Sequence, residues 1–245
     1  PLIYAGGGVI HSDGAEELRA FAHEFGIPVV TTLMGIGTYD TTEPLALHML
    51  GMHGAAFANY AVDDCDFLYC LGARFDDRVA GVPAKFARNA KRIAHMDVGL
   101  KRRHAMNYDR DSELIQPYYV IEEINRLTRG EAVIATGVGQ HQMWAAQYFD
   151  FREPRLWLTA GSMGTMGFGL PAAIGAQFAR RDKLVIDIDG DASIRMNLGE
   201  LETVTTYDLP IKVVVLNNCG DGMVKQWQKL FFKGRLSASD KSLHK

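Results

Sequence analysis

Val185–Ser193, with the sequence VIDIDGDAS, is the stretch that decides the fold. Its apolar first half predicts a buried strand, and the Gly-Asp-Ala turn ends that strand in a polar loop. A second apolar strand ends in Leu216-Asn217-Asn218, and 24 residues lie between Ala192 and Asn217. Parallel strands bring their carboxyl ends to one edge of a sheet, where ligands bind. The two strand ends are therefore expected to present their polar residues to one site.

Strands and helices alternate outward from this stretch in two series, which predicts parallel sheets. The predicted strands of the first series are Leu2–Ala5, Val29–Thr32, Phe67–Leu71 and Arg92–Met96. Its helices are a segment with Leu18, Phe21, Ala22 and Phe25 at helical spacing, capped by Ser12 or Asp13 and ended by Gly26, and Ala55–Val62. The second series has a helix face of Val120, Ile121, Ile124 and Leu127, strands at Ala132–Ala135, Leu184–Ile188 and Ile211–Leu216, and helices at Phe168–Phe178, Leu198–Tyr207 and Met223–Phe232.

The predicted fold class is α/β, with two doubly wound parallel-sheet domains. Residues 1–98 form the first domain, and residues 118–245 form the second, which is expected to be incomplete. Between them, residues 99–117 are rich in Lys, Arg, His and Asp and lack periodicity, so they are predicted to be a shortened linker.

The composition excludes several classes of protein. With 47% hydrophobic and 22% charged residues, the chain of 245 residues is neither disordered nor fibrous. A formal net charge of -3 argues against a nucleic-acid partner, and no apolar run is long enough for a membrane span. The 3 cysteines lack C-x-x-C spacing, which favours a reducing compartment.

The predicted edge of the sheet carries ligands suited to a hard cation. The Asp191 carboxylate and the Asn218 amide oxygen are groups that Mg²⁺ prefers. Gly190 and Ala192 are small enough for a diphosphate to approach the backbone, and Ser193 can donate a hydrogen bond to it. In the alternative interpretation, Asp191 caps a helix and Asn217-Asn218 forms a turn.

This spacing resembles the thiamine diphosphate-binding motif, with Ala192 in place of its last glycine. Three further stretches narrow the resemblance: Thr136–Trp144 (TGVGQHQMW), Gly164–Gly175 (GTMGFGLPAAIG) and Gly222–Gln228 (GMVKQWQ). Together they resemble the catalytic subunits of the acetohydroxyacid synthase, or acetolactate synthase, family. In the first domain, Leu50–Gly54 and Gly72–Arg78 resemble that family's FAD-contacting segments.

The resemblance implies two cofactor sites, a metal site and a substrate site. It implies that thiamine diphosphate is bound by Val138, Gly139, Gln140, His141, Gly164, Met166, Gly190, Asp191, Ala192, Ser193, Asn218, Gly220, Gly222 and Met223. Met166 would bend the cofactor, and Mg²⁺ would be held by Asp191, Asn218 and the Gly220 carbonyl. The substrate site would be lined by Met223, Val224 and Trp227. FAD, kept as a structural remnant, would be surrounded by Gly7, Gly8, Thr32, Leu33, Met34, Leu50, Gly51, Met52, His53, Gly72, Arg74, Asp76, Arg78 and Asp97.

The implied activity is the decarboxylation of pyruvate and its condensation with a second 2-ketoacid, pyruvate or 2-ketobutyrate, in branched-chain amino acid biosynthesis. The resemblance places the family's catalytic glutamate in an N-terminal domain that this chain is expected to lack, so no catalytic residue is assigned and the isolated chain is expected to be inactive. A homodimer or homotetramer is expected, and a regulatory small subunit is left open. Bacterial cytoplasm is the expected location, with plastid or mitochondrion left open.

Two alternatives remain at this point. The first is another thiamine diphosphate enzyme: a pyruvate oxidase, a glyoxylate carboligase or a 2-ketoacid decarboxylase. The run Gln140–Trp144 and the helix of Trp227 favour the synthase over these. The second is a non-catalytic cofactor-binding fragment, against which the intact Asp191, Asn218 and Met166 argue.

Overall fold

A computed structural model describes residues 1–90 and 106–242 of the chain. The chain divides into two compact units, the first comprising Pro1–Gly130 and Ala146–Leu156 and the second Glu131–Ala145 and Trp157–Lys245. The boundary at 99–117 stays a prediction. The predicted strand Arg92–Met96 and the candidate site residue Asp97 lie outside the described residues.

The first unit is built on a four-stranded parallel sheet with the order β3-β2-β1-β4. Its strands are β1 (Leu2–Ala5), β2 (Val29–Thr31), β3 (Ala46–Met49) and β4 (Leu68–Leu71). Its helices are α1 (Gly7–His11), α2 (Ala15–Phe25), α3 (Ala56–Asp64), α4 (Asp77–Ala80) and α5 (Pro117–Thr128), with short 3-10 turns at Leu33–Gly35 and Pro83–Lys85.

Helices cover both faces of this sheet, as a doubly wound fold requires. On one face, Leu2 and Tyr4 of β1 pack in a cluster with Phe57 of α3. On the other face, Ile3 packs in a second cluster with Leu18 of α2. The alternation follows from the two-residue period of a strand, which points successive side chains to opposite faces.

The second unit repeats the architecture with the strand order β6-β5-β7-β8, again all parallel. Its strands are β5 (Val133–Thr136), β6 (Trp157–Thr159), β7 (Val185–Gly190) and β8 (Lys212–Leu216). The remaining helices are α6 (Gln140–Tyr148), α7 (Gly169–Ala179), α8 (Leu201–Thr206), preceded by a 3-10 segment at Ile194–Glu200, and α9 (Gly222–Phe231). The two parallel-sheet domains predicted from the sequence are confirmed.

Several local details differ from the predictions. A short helix begins at Gly7, which the glycine run had concealed, and Ser12 ends that helix instead of capping the next one. The cap of α2 is Gly14, without a side-chain hydrogen bond, while Gly26 ends α2 in the left-handed region as expected. The strands β3 and β6 were missed because each is short and β3 is irregular, with His48 at a positive φ of 57°.

Candidate cofactor site

Strand order places a crevice in the second unit at the carboxyl ends of β5 and β7. The chain runs from β5 outward to β6, and then returns to add β7 and β8 on the other side of β5. Ligands of open α/β sheets bind at such a reversal, outside the carboxyl ends of the strands. Gly137 directly follows β5, and Asp191 directly follows β7. The predicted diphosphate and metal residues therefore flank the point at which this fold binds ligands.

Buried hydrogen bonds hold the residues on either side of the loop after β5, residues 137–139. Gln142 donates to the Thr159 hydroxyl at 2.7 Å, and the hydroxyls of Thr136 and Thr159 share a hydrogen bond of 2.8 Å. These three side chains are buried. A fully satisfied buried polar network holds its members in one arrangement. The start of α6 is thus fixed relative to the strand ends.

Ser193 joins three loops through one hydroxyl. Its Oγ accepts hydrogen bonds from the backbone N–H of Val138 at 3.3 Å and of Gly167 at 3.0 Å. The side chain is buried, so neither amide could exchange this partner for bulk water. In this structure the hydroxyl of Ser193 holds the Val138 and Gly167 loops together as an acceptor. Accepting these bonds does not use its own O–H, so the predicted donation to a diphosphate stays a prediction.

His141 fills the space between the loop after β5 and the loop after β7. Its Nε2 lies 3.3 Å from Oδ1 of Asp189, without the alignment of a hydrogen bond, and both side chains are buried. A Cβ at Gly190 would lie 2.7 Å from the His141 Nδ1, and a Cβ at Gly139 would lie 2.8 Å from its Cε1. Only glycine leaves room for the imidazole at either position. The sequence predicted His141 and both glycines here but missed Asp189.

Asp191 and Asn218 meet, as predicted from their strand ends. The backbone N–H of Asn218 donates to Oδ1 of Asp191 at 3.4 Å, and the Asn218 side-chain amide donates to Oε1 of Gln140 at 3.4 Å. The other carboxylate oxygen of Asp191, Oδ2, is buried without a hydrogen-bond partner in the described part of the chain. A buried carboxylate oxygen normally has a partner. Its orphaned state beside an amide fits a hard cation as the missing partner.

A Mg²⁺ ion at this point would depend on mixed oxygen ligands. Within residues 1–90 and 106–242, no three acidic, histidine or cysteine side chains gather to hold a metal. Gly220, whose carbonyl was predicted as the third ligand, is buried and forms an isolated bridge with Asp240, whereas Asn217 and Asn218 before it are exposed. A Cβ at Gly222 would lie 2.2 Å from Oε1 of Gln140 and 2.4 Å from Nδ2 of Asn218. Gly222 thus allows the Asn218 loop to approach Gln140 at the start of α6.

Two of the predicted residues lie in the loop before α7. Gly164 adopts a positive φ of 66°, and Met166 is half-buried next to Gly167. Gly167, with a φ of 82°, is fixed by the Ser193 hydroxyl and by the Asn197 amide, which donates to its carbonyl at 2.7 Å. Met166 is therefore presented by a loop that is anchored immediately beside it.

The predicted substrate residues lie on α9, which has no buried residue in this structure. Val224 is 48% and Trp227 36% exposed, and the Trp227 ring packs against Phe231 with centroids 5.0 Å apart. Trp227 is therefore not used as core, which removes the simplest structural explanation for a tryptophan at this position.

In the first unit, the strand order reverses between β1 and β4. Gly8 follows β1 and donates its N–H to the carbonyl of Gly72, after β4, at 3.0 Å. A Cβ at Gly7 would lie 3.1 Å from Cβ of Met34, so the 3-10 turn that holds Leu33 and Met34 lies beside this loop. Thr32 caps that turn by accepting from the Gly35 N–H at 2.9 Å.

A second group of the predicted FAD residues surrounds the loop after β3. Met52 donates its N–H to the carbonyl of Arg78 at 2.8 Å, and Gly51 has a φ of 102°. Burial, and then the nearby Arg78 cation, lower the pKa of His53. Asp76 accepts from the Arg78 N–H at 3.2 Å and lies 3.7 Å from the Arg74 guanidinium. The structure thus brings the residues at 50–53 to those at 76–78.

Comparison with known proteins agrees with both units. The family model described as "Thiamine pyrophosphate enzyme, central domain" matches residues 1–110, and "Thiamine pyrophosphate enzyme, C-terminal TPP binding domain" matches residues 137–245. Acetolactate synthase 1, chloroplastic, of Nicotiana tabacum is 44% identical over 282 residues, covering 95% of this chain and 42% of the relative. Acetolactate synthase 1, chloroplastic, of Zea mays is 44% identical, and acetolactate synthase, chloroplastic, of Arabidopsis thaliana is 42% identical; they cover 95% of this chain and 44% and 42% of the relatives.

The chain spans about two fifths of the length of these curated relatives. The aligned length of 282 residues exceeds the 245 residues of this chain, so the relatives carry residues inside the aligned region that this chain lacks. Among the described residues, no helix is long and apolar enough to cross a membrane. With matching family models over both units, the chain belongs to the thiamine pyrophosphate enzyme family, within which it is similar to the acetolactate synthases.

Proposed function

We propose that this chain supplies the central and diphosphate-binding parts of an acetolactate synthase. The observation that carries the proposal is the orphaned Oδ2 of Asp191, which is buried beside Asn218 at the reversal of the strand order. A thiamine diphosphate–Mg²⁺ pair would complete this carboxylate and place the diphosphate against the backbone of residues 137–139. The 44% identity to acetolactate synthases supports this reaction over the other reactions of the cofactor.

Each part of the site has a task in that proposal. Asp191, Asn218 and the Gly220 carbonyl hold the metal; Val138, Gly139, Gln140, His141, Gly190, Ala192, Ser193 and Gly222 surround the diphosphate; and Gly164, Met166 and Met223 lie against the organic part of the cofactor. When bound, thiamine diphosphate supplies the carbanion chemistry that decarboxylates a 2-ketoacid and joins it to a second one. Met223, Val224 and Trp227 would select the second ketoacid, pyruvate or 2-ketobutyrate.

The proposal extends to FAD, oligomer formation and location. Gly8 and Gly72 let the loops after β1 and β4 approach each other at the strand reversal, where a dinucleotide would bind, and the exposed Arg74 carries a charge suited to its phosphates. A homodimer or homotetramer is part of the proposal, and a regulatory small subunit is left open. The catalytic carboxylate, which is not assigned to any residue of this chain, would come from the family's N-terminal domain. The relatives are named chloroplastic, so a plastid location stands beside the bacterial cytoplasm. The FAD part is tested by incubating the purified chain with FAD and separating it from free FAD on a column. Elution of the chain without flavin absorbance would contradict this part of the proposal.

The test is calorimetric titration of the full chain with thiamine diphosphate in the presence of Mg²⁺. Asp191→Ala removes the carboxylate but no large apolar group, so we expect the affinity to fall by about 100-fold or more with little change in stability. Asp182→Ala, at an exposed residue that pairs with Arg180, is the matched control and should bind like the unaltered chain. Equal binding by all three proteins would overturn the assignment of the metal site. In a reconstituted enzyme, acetolactate as the product would separate the synthase from an oxidase or a decarboxylase.

A further inference from the structure

Asp187 is a buried acid that the proposed function does not use. It is the third residue of β7, and it is fully buried. Neither of its carboxylate oxygens has a hydrogen-bond partner among the residues that the structure describes. A charged carboxylate in such surroundings would be strongly destabilising, because burial removes the water that stabilises the charge. The side chain must therefore be neutral, or the fold must tolerate a large loss of stability.

Among the described residues, no cation donates a hydrogen bond to Asp187. Lys212 of β8 pairs with Ile186 and therefore faces the other side of the sheet. In the register of the sheet, it lies between Ala135 of β5 and Val213 of β8. Helix α7 covers it with its first residue, since a Cβ at Gly169 would lie 2.3 Å from Oδ1 of Asp187 and 2.5 Å from the backbone nitrogen of Gly137. No residue of α7 is ionisable. Asp187 is thus enclosed between the start of α7 and the loop after β5.

One charged group on the same strand faces the same side. Asp189 lies two residues along β7, and side chains two residues apart share a face of a sheet. Unlike Asp187, Asp189 has partners, because its Oδ1 accepts from the Gly190 N–H at 2.8 Å and lies 3.3 Å from His141. Burial, and then the Asp189 carboxylate, raise the pKa of Asp187 to about 8.

We propose that Asp187 is held as a neutral carboxylic acid and is a positioning residue, which fixes the first turn of α7 against the Gly137 turn of the cofactor loop. Its small, uncharged head group fills the space that Gly169 leaves open beside the backbone of Gly137. The neutral state of Asp187 does not depend on the proposed function, because it concerns only the surroundings of this side chain in the fold. The positioning role rests on the proposed function, because it concerns the loop that would hold the diphosphate.

The neutral acid makes folding dependent on pH. The unfolded chain releases this proton near the ordinary aspartate pKa of about 4, whereas the folded chain keeps it up to about pH 8. Between these values the folded state binds more protons, so stability is highest near pH 4 for this group and is lost as the pH rises toward 8. At pH 7 the folding of each molecule takes up about one proton at this site.

The first experiment needs no cofactor. An infrared difference spectrum between the unaltered chain and Asp187→Asn at pH 6.5 should contain the carbonyl band of a protonated carboxylic acid. Asp208→Asn, at an exposed residue of the same unit, should leave that band in place. The Asn variant should also unfold at a higher urea concentration than the unaltered chain at pH 7, with the difference shrinking toward pH 5. A spectrum without the band, or a difference in stability that does not depend on pH, would overturn the neutral acid.

The second experiment tests positioning by comparing two substitutions at Asp187. Asn has the shape of the neutral acid, so Asp187→Asn should keep the calorimetric affinity for thiamine diphosphate with Mg²⁺ within about twofold at pH 7. Asp187→Ala leaves a void under the loop and should weaken binding by about tenfold, in the range of residues that support a ligand indirectly. Equal weakening by both variants would show that the carboxyl itself is needed and would overturn the positioning role. An unaltered chain that shows the infrared band but binds no cofactor would support the neutral acid and contradict the proposed function.

Discussion

The two units use glycine at the same point of the same fold, but for different purposes. In the first unit, the glycines at the strand reversal meet backbone: a Cβ at Gly6 would lie 2.2 Å from the carbonyl oxygen of Gly72, and one at Gly72 would lie 2.6 Å from the nitrogen of Val9. In the second unit they meet polar side chains. A Cβ at Gly137 would lie 2.1 Å from Oδ1 of Asp189 and 2.2 Å from Oγ of Ser193.

Because of this difference, substitutions of the two groups of glycines should affect different properties of the protein. Two backbone segments in contact can move apart only if the strands that carry them also move, so a side chain inserted between them disturbs the whole sheet. A side chain such as Asp189 or Ser193 can instead rotate away at a smaller loss of stability, but it then leaves its position at the site. Substitutions in the first unit should therefore act mainly on stability, and those in the second mainly on cofactor affinity.

The largest effect is expected for Gly72→Ala. Gly72 combines a φ of 58° with the 2.6 Å approach to Val9, so alanine would be strained and would also overlap the backbone of α1. We expect a loss of about 3–5 kcal/mol in the free energy of unfolding, from the two effects together. Urea unfolding followed by circular dichroism measures the loss. Such a loss approaches the whole stability of a small domain.

Gly26→Ala is the matched control for that prediction. Gly26 has a similar φ of 62°, but a Cβ there would meet nothing within 4 Å. Only the backbone strain remains, and we expect a loss of about 1 kcal/mol. Similar losses for the two variants would mean that φ alone matters and that the backbone contact at the first strand reversal contributes little.

Gly137→Ala should have an intermediate effect on stability and a large effect on binding. Gly137 does not have a positive φ, so alanine is not strained there. Its methyl group would displace the Asp189 carboxylate and the Ser193 hydroxyl, and with them the loops that Ser193 joins. We expect the affinity for thiamine diphosphate with Mg²⁺ to fall by about 100-fold, with a loss of about 1–2 kcal/mol in stability. Calorimetry and urea unfolding on the same preparation measure both, and a loss confined to stability would contradict the comparison.

The sequence predicted the elements and contacts that depend on strand direction. Asp191 and Asn218 could be paired because each follows a buried apolar run, and parallel strands end at the same edge. The acceptor role of Ser193 could not be predicted, because it requires three loops from distant parts of the chain to meet.

The pattern of acids in β7 could have been used to predict that Asp187 and Asp189 are unusual. Asp187 and Asp189 alternate with isoleucines inside a predicted buried strand, where an acid needs a partner or a proton. The sequence shows that conflict but not its resolution, because the partners of Asp189 lie in the next residue and in α6. The short strands β3 and β6 were missed because three or four residues give too little periodicity to distinguish a strand from a loop.

Gly175→Ala should give the smallest effect, and a favourable one. Gly175 lies inside α7 at an exposed position, and a Cβ there would meet nothing within 4 Å. Alanine restricts the unfolded chain and fits a helix interior, so we expect a gain of about 0.5–1 kcal/mol in the free energy of unfolding. Cofactor affinity should not change, since the substitution lies away from the first turn of α7, which faces the site. A weaker affinity without a loss of stability would show that the whole of α7 takes part in positioning the loop. Glycines that affect cofactor binding but not stability would then also occur away from the strand ends.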